Sequence, residues 1–264
     1  MMERLNQLFS PILTAGSLPS GLAIDEILRR DFLLTQATAI YKQKVNTVVR
    51  LALEEQPVVV KLFGWRNPLH YFLSPGMLSR AWLSWQTANS LLQAGVRTPE
   101  PRFVYTSRKK GFIQANVYIT NSLEQHYSLR QFLNSKPAIN DARKVIKDLA
   151  ISLARMHEAG IFHRDLTPGN ILIDEKQQTY LVDLNRTVIR SRLTVSQRLR
   201  DLAKLNFKGR QPQFEQPLVA AFCDFYATEC RSPVDWLNGY WEHRRQLLAY
   251  RRRKAALKRL KPGK

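Results

Sequence analysis

Alternating apolar residues predict a strand-rich first part of the chain. Short runs with alternating or consecutive β-branched positions indicate five strands, at 37–41, 47–53, 57–63, 102–105 and 112–120. Between the third and fourth of these runs, apolar side chains recur every three or four residues from 79 to 94. Gly95 follows, which is typical of a helix end. The pattern therefore predicts a mostly antiparallel sheet with one helix inserted after its third strand.

After Asn121 the pattern becomes helical. A single apolar stripe predicts a helix with Asn140 as its N-cap and Gly160 at its end. The stripe consists of Val145, Leu149, Leu153 and Met156. Two short strands, at 170–174 and 179–183, follow, and the rest is predicted to be helical from about Thr194. We place the boundary between a first lobe, 1–121, and a second lobe, 122–264, at this change of pattern.

The net charge of the chain indicates which classes of binding partner to expect. It carries 41 Lys and Arg against 21 Asp and Glu, a formal net charge of +20, with a pI near 10.3. Such a balance favours anionic partners: nucleic acid, a phospholipid surface, or a phosphorylated or carboxylated substrate. The two cysteines, Cys223 and Cys230, are expected to be buried thiols of a cytosolic protein.

The most informative segment is 160–170, which reads GIFHRDLTPGN. It contains His-Arg-Asp-Leu, three residues and then Asn, the catalytic-loop pattern of protein-kinase-like phosphotransferases. A predicted helix precedes this loop and a strand pair follows it. We expect His163 to fix the loop by hydrogen bonding.

The chemistry of phosphoryl transfer gives this spacing a meaning. The reaction needs an acceptor hydroxyl placed in line and Mg²⁺ to neutralise charge on the phosphates. Asp165 is the expected base for that hydroxyl. Asn170 and Asp183, at the end of the second strand of the following hairpin, are the expected oxygen ligands of Mg²⁺. Lys61, on the third strand, is expected to hold the α- and β-phosphates of ATP.

Four further segments resemble the lipopolysaccharide core kinases, the family of Kdo and heptose kinases. They read MHEAGI at 156–161, LLQAGVRTP at 91–99, VDLNR at 182–186 and RLRDL at 198–202. The third replaces the Asp-Phe-Gly of protein kinases, and the similarity extends over about 38–205. It implies an α+β, two-lobed protein-kinase-like fold whose N-terminal lobe is an antiparallel sheet with one helix. It also implies ATP- and Mg²⁺-dependent phosphorylation of a Kdo or heptose hydroxyl in the lipopolysaccharide inner core.

Two departures from the kinase pattern bear on the nucleotide site. The turn after the first strand has no glycine-rich sequence, so Lys44 is the candidate to cover the phosphates with its side chain. Ser84 stands where relatives carry the helix Glu that pairs with the strand Lys. Another acid is then expected to steer Lys61, or the site is weakened.

Basic residues form two groups outside the motif. One follows Asp183 and would suit a carboxylate- or phosphate-rich acceptor, although a solvated helix face is the alternative. It consists of Arg186, Arg190, Arg192, Arg198 and Arg200. The other is the C-terminal tail, with no acidic residue after Glu242, which is suited to anionic headgroups or serves solubility alone. Its cations are Arg251, Arg252, Arg253, Lys254, Lys258, Arg259, Lys261 and Lys264. Nucleic-acid binding is disfavoured because no recognition motif accompanies these charges.

These patterns favour one function and leave two alternatives open. The favoured reading is a lipopolysaccharide sugar kinase that acts on a lipopolysaccharide core or lipid A-linked acceptor. No run of about 18 apolar residues occurs and the start lacks signal-peptide features, so we expect a cytoplasmic protein, peripheral on the inner membrane. The alternatives are a phosphotransferase acting on protein or a small soluble molecule, and a pseudokinase that binds without turnover.

Overall fold

The computed structural model describes residues 10–65 and 68–259. These residues fall into two compact units. The first comprises the chain up to Gln93 together with Thr98–Glu124 and Asp183–Thr187. The second comprises Ala94–Arg97, Gln125–Val182 and the chain from Val188 onward. The predicted division at residue 121 stays a prediction, since compactness alone does not define a folding domain.

A six-stranded antiparallel sheet is the centre of the first unit, in the order β1-β5-β6-β4-β3-β2. Its strands are β1 (Ile12–Gly16), β2 (Ala37–Gln43), β3 (Thr47–Leu51), β4 (Val58–Leu62), β5 (Pro101–Lys109) and β6 (Phe112–Asn121). Five of them are the predicted strands. The edge strand β1 was not predicted, because a short half-exposed strand has little apolar alternation to reveal it.

The first unit holds more than the one predicted helix. The predicted helix is present, and three short helices precede it, which makes four α-helices among the described residues of this unit. In chain order they are α1 (Ile24–Ile27), α2 (Arg30–Thr35), α3 (Pro68–Phe72) and α4 (Arg80–Gln93), the last being the predicted one. Helices of four to six residues span too few turns to show a periodic stripe. Ile27 of α1 and Leu33 of α2 nevertheless join Val49 and Val60 of the sheet in one buried core.

The second unit is mostly helical. Its helices are α5 (Leu129–Asn134), α6 (Ile139–Glu158), α7 (Val195–Leu202), α8 (Glu215–Cys230) and α9 (Trp236–Arg259). Its strands are β7 (His126–Ser128), β8 (Ile161–Phe162), β9 (Ile171–Asp174), β10 (Thr179–Leu181) and β11 (Val188–Ile189). They pair as β10-β9-β7 and as β11-β8, all antiparallel.

The long helix α6 is built as predicted, apart from its start. All four residues of its predicted apolar stripe are buried. The N-cap is Ala138 and not Asn140, because the backbone is still extended at Ala138 and the helix begins one residue before Asn140. At the other end Gly160 has φ +72°, and a Cβ there would lie 1.8 Å from the Arg190 carbonyl oxygen. Glycine is therefore required where the helix turns into the catalytic loop.

Part of the C-terminal tail is helical. Arg251, Arg252, Arg253 and Lys254 lie on α9 and are exposed, whereas Lys261 and Lys264 lie outside the described residues. Cys223 is buried as expected, and Cys230 is only half-buried. Within 10–65 and 68–259, no helix is both long enough and apolar enough to cross a bilayer.

Candidate active site

The catalytic loop at 163–170 is held by one buried carboxylate. Asp201 of α7 is fully buried and accepts the backbone N–H groups of His163 at 2.7 Å and Arg164 at 2.9 Å. Lys204 donates to the same carboxylate at 3.1 Å and to the Arg164 carbonyl at 2.6 Å. Arg164 has φ +65°, a conformation that costs a non-glycine residue about 1–3 kcal/mol and persists only where neighbours enforce it. Asp201 and Lys204 provide that enforcement.

His163 supports the loop from inside, as predicted. Its ring is buried, Nε2 lies 3.2 Å from the Val182 carbonyl oxygen, and Nδ1 accepts the backbone N–H of Asp165 at 3.3 Å. These contacts connect the loop to the segment that leads into Asp183. The predicted role of His163 in fixing the loop is confirmed.

The two predicted site residues of the loop, Asp165 and Asn170, are linked by a hydrogen bond to the backbone. Asn170 Nδ2 donates to the Asp165 carbonyl oxygen at 2.8 Å, and the Asn170 carbonyl oxygen accepts the Val182 N–H at 3.0 Å. The amide nitrogen of Asn170 is thereby engaged, which leaves its oxygen as the atom that can bind a cation. Asp165 is half-buried, so part of its surface is open to solvent.

The first unit contains Lys61 and Asp183 as an ion pair. Lys61 lies on β4, on the sheet face opposite Val60, and its Nζ donates to Asp183 Oδ1. Asn185 Nδ2 donates to the same oxygen. Burial lowers the pKa of Lys61, while the Asp183 carboxylate acts in the opposite direction. The predicted partners of ATP and Mg²⁺ in this unit are therefore in direct contact.

Asp183 lies two residues beyond β10, not at its end, and has φ +64°. Its segment belongs to the first unit through the Lys61 ion pair and through a hydroxyl contact between Thr87 of α4 and Thr187. A strained backbone held by side-chain contacts is typical of functional positions. This conformation directs the carboxylate to Lys61.

Ser84 does not take over the role of the helix Glu expected at this position, because its hydroxyl bonds within its own helix. It is buried on α4, and its hydroxyl donates to the Arg80 carbonyl one turn earlier at 2.8 Å. The ion pair with Asp183 shows which acid steers Lys61 in this structure.

Arg80 and Gly64 hold the β2–β3 turn, the segment without glycines that contains Lys44. Arg80 Nη1 donates to Asn46 of this turn at 3.3 Å, and Nη2 donates to the Gly64 carbonyl. The guanidinium also lies 5.1 Å from the Phe63 ring centroid. A Cβ on Gly64 would approach the Val45 carbonyl oxygen to 2.1 Å. Lys44 itself is exposed, in position to reach a ligand in solution.

Sequence reasoning missed Asp201, Asn185 and Arg80. A signal for Asp201 was available, because helical spacing places it on the same face as Arg198 and Leu202, and all three are buried. Asn185 and Arg80 act through contacts that only the folded chain creates. The predicted basic group after Asp183 also needs correction. Arg198 is buried and paired with Glu158 at 2.5 Å, so it is no free acceptor ligand, while the other four arginines are exposed.

The residues that could hold a metal are few. Within the described ranges, no cluster of three or more His, Cys, Asp or Glu side chains has the arrangement of a metal centre. Mg²⁺ does not require one, since it is usually bound by one or two protein oxygens with water and substrate phosphates. The oxygens of Asn170 and Asp183 are of the type that suits it.

Comparison with known proteins identifies this arrangement. A solved structure, WaaP in complex with acyl carrier protein, superposes on this chain with a TM-score of 0.59 and 21% sequence identity. The match covers 86% of this chain and 90% of that chain, and it confirms the kinase-like fold. A 3-deoxy-D-manno-octulosonic acid kinase of Vibrio vulnificus strain YJ016 is 28% identical over 125 residues, 47% of this chain and 51% of that protein.

A further relative and a family model extend the match. The 3-deoxy-D-manno-octulosonic acid kinase of Xylella fastidiosa strain M12 is 26% identical over 173 residues, 66% of this chain and 67% of that protein. The chain thus spans about half the length of the Vibrio relative and more of the Xylella one. Residues 71–226 match the model of one family, and this range contains the whole catalytic loop. The chain belongs to the lipopolysaccharide kinase (Kdo/WaaP) family.

Proposed function

We propose that this chain is an ATP- and Mg²⁺-dependent kinase that phosphorylates a sugar hydroxyl in the inner core of lipopolysaccharide. The observation that carries the proposal is the catalytic loop, in which Asp165 and Asn170 are joined by a hydrogen bond and anchored on Asp201. Membership of the Kdo/WaaP family supports the substrate class. Between Kdo and heptose, the names of the Vibrio and Xylella relatives favour Kdo.

In this proposal each side chain has a defined task. Asp165 accepts the proton of the attacking sugar hydroxyl and orients it. Asn170 and Asp183 offer oxygen ligands to Mg²⁺, which when bound neutralises charge on the ATP phosphates. Lys61 offers an ammonium group to the α- and β-phosphates, and Lys44 adds a cation from the β2–β3 turn.

The test is transfer of labelled γ-phosphate from Mg-ATP to purified rough-type lipopolysaccharide that lacks core phosphate. We expect label on the glycolipid with the unaltered chain and none with Asp165→Ala, although both bind ATP. Asp224→Ala is the matched control, because Asp224 is an exposed acid on α8. Label on a protein or a small soluble sugar instead would support the first alternative function. ATP binding with no transfer to any acceptor would support a pseudokinase.

We also propose that the chain works at the cytoplasmic face of the inner membrane, bound peripherally through α9. Support comes from the exposed cations Arg252, Arg253 and Lys254 and from the lack of acidic residues after Glu242. Each such charge contributes about 1 kcal/mol of attraction near an anionic surface. Changing these three residues to alanine should release the chain from vesicles containing phosphatidylglycerol at physiological salt. Unchanged sedimentation with the vesicles would contradict this attachment.

A further inference from the structure

A basic cavity of about 290 Å³ lies within the second unit, beside the catalytic loop. Its lining includes Thr167 and Pro168 of the loop itself. Four cations from three other segments also line it: Arg130, Lys204, Arg244 and Arg251. None of these residues was singled out for the chemistry of the motif.

The cations carry more charge than their surroundings neutralise. Lys204 is paired with Asp201. In 10–65 and 68–259, by contrast, Arg130, Arg244 and Arg251 have no ion pair with an acidic side chain. Arg244 is 8% exposed and uses Nη1 to donate to the Ala203 and Leu205 carbonyls at 3.1 Å, so its position is fixed by the backbone. A fixed, buried guanidinium with two unpaired neighbours is suited to an anion, because arginine binds carboxylates and phosphates with paired hydrogen bonds.

The cavity adjoins the loop that contains Asp165 and Asn170. A Cβ on Gly169 would lie 3.3 Å from Arg130 Nη2, which places this guanidinium against the loop next to Asn170. Lys204 Nζ donates to the carbonyl of Arg164, the neighbour of Asp165. Thr167 is two residues from Asp165, so their Cα atoms are at most about 7 Å apart. A group bound in the cavity is thus within reach of a molecule whose hydroxyl lies at Asp165.

We infer that this cavity binds an anionic group, a carboxylate or a phosphate, of the acceptor sugar and so positions its hydroxyl at Asp165. The inference rests on the proposed function and deepens it by naming the acceptor subsite. The volume lies near the lower end of small-molecule sites, about 300–1,000 Å³, which suits one charged group with part of its sugar ring. It assigns Arg251 to acceptor binding, whereas Arg252 and Arg253, next on α9, do not line the cavity.

The first test compares two double variants with the same change in net charge. Arg130→Ala/Arg251→Ala removes two cavity cations that are exposed, so we expect the melting temperature to stay close to that of the unaltered chain. The acceptor in this test is deacylated core oligosaccharide. The KM of this variant for the acceptor should rise at least about tenfold, whereas its KM for ATP should stay within about twofold. Arg143→Ala/Lys144→Ala, at two exposed cations of α6 that do not line the cavity, should leave both KM values within about twofold. Equal acceptor KM values in the two variants would overturn the inference.

The second test identifies the anion. Reduction of the acceptor's carboxyl groups, or removal of its phosphates with hydrogen fluoride, should weaken binding to the unaltered chain in only one of the two cases. The Arg130→Ala/Arg251→Ala variant should lose nothing further with that modified acceptor, because group and partner are then both absent. The inference would be overturned if, for both modified acceptors, the loss of affinity from the modification simply added to the loss from the arginine substitutions.

A third test separates failure of this inference from failure of the proposed function. If the unaltered chain transfers no phosphate to lipopolysaccharide, the proposed function fails, and binding of inorganic phosphate is measured by calorimetry. Loss of at least about tenfold in phosphate affinity in Arg130→Ala/Arg251→Ala, but not in Arg143→Ala/Lys144→Ala, would support an anion site in the cavity. Equal affinity in both variants would overturn it.

Discussion

The catalytic loop and the β2–β3 turn are both expected to meet the reacting phosphates, but they are held by different means. The loop is fixed by Asp201, a fully buried carboxylate that accepts two of its backbone N–H groups. The turn is fixed by close packing of Val45 on Gly64 and by the Arg80 side chain. A base must keep its position precisely, and buried charged hydrogen bonds provide this. A cover over the nucleotide tolerates a looser attachment.

The largest effect is expected at the loop. Asp165→Asn keeps the shape of the side chain but removes the base, so we expect kcat to fall about a thousandfold while affinity for ATP changes less than about twofold. Transfer of labelled phosphate and calorimetric titration with ATP measure the two quantities. Asp224→Asn serves as the control with the same chemical change at an exposed position. A variant with more than a tenth of the original kcat would remove Asp165 from its proposed role.

Loss of the anchor should be the next largest effect. An asparagine at 201 can accept only one of the two loop N–H groups well, and it no longer neutralises Lys204. We expect Asp201→Asn to lower the free energy of unfolding by about 3 kcal/mol, as measured by urea denaturation. Asp224→Asn should stay within about 0.5 kcal/mol. A loss below about 1 kcal/mol for Asp201→Asn would mean that the loop is held mainly by other contacts.

The turn should respond more mildly than the loop. Gly64→Ala would drive a methyl group into the Val45 carbonyl, so the turn must shift, at a cost of about 1–3 kcal/mol. We expect a raised KM for ATP with an unchanged KM for the acceptor, because the displaced turn carries Lys44. Gly76→Ala is the matched control, since a Cβ there meets nothing within 4 Å. If both variants have the same KM for ATP, the turn does not cover the nucleotide.

The contrast between the two regions also explains what could be predicted from the sequence. The catalytic loop is a motif of eight consecutive residues, and local spacing is enough to read Asp165 and Asn170 from it. The strand of Lys61 is a β-branched run, and in the structure burial alternates along its first residues, with Val58 and Val60 buried on one face. These features depend on neighbours in the chain, so the chain order reveals them.

The remaining features depend on partners that are distant in sequence. Arg80 contacts Asn46, 34 residues away, and Lys61 pairs with Asp183, 122 residues away. The acceptor cavity combines Arg130 with Arg251, which sequence reasoning placed in a membrane-binding tail. Arg198 was misread for the same reason, since its basic neighbours gave no hint of Glu158. Periodicity shows which face of an element is buried but not which charge lies opposite.

The smallest effect is a pH response confined to the anchor of the catalytic loop. His157 is fully buried, with Nδ1 2.7 Å from the Tyr226 hydroxyl and Nε2 3.7 Å from Asp201 Oδ2. Burial lowers the pKa of His157, and the Asp201 carboxylate opposes this only in part. An unfolded histidine titrates near pH 6.5, so below that pH the unfolded chain binds the extra proton and stability falls as pH falls.

The expected size of this response is at most about 1.4 kcal/mol per pH unit below pH 6.5. His157→Gln keeps a hydrogen-bonding group for Tyr226 but does not titrate. The difference in free energy of unfolding between the unaltered chain and this variant should therefore shrink from pH 7.5 to pH 5.5 in urea denaturation. Gly64→Ala, which alters only the β2–β3 turn, should keep the original pH slope. A constant difference would show that the folded chain takes up this proton as readily as the unfolded chain. A difference that grows as the pH falls would show that the folded chain favours the protonated ring, as in a charged pair with Asp201.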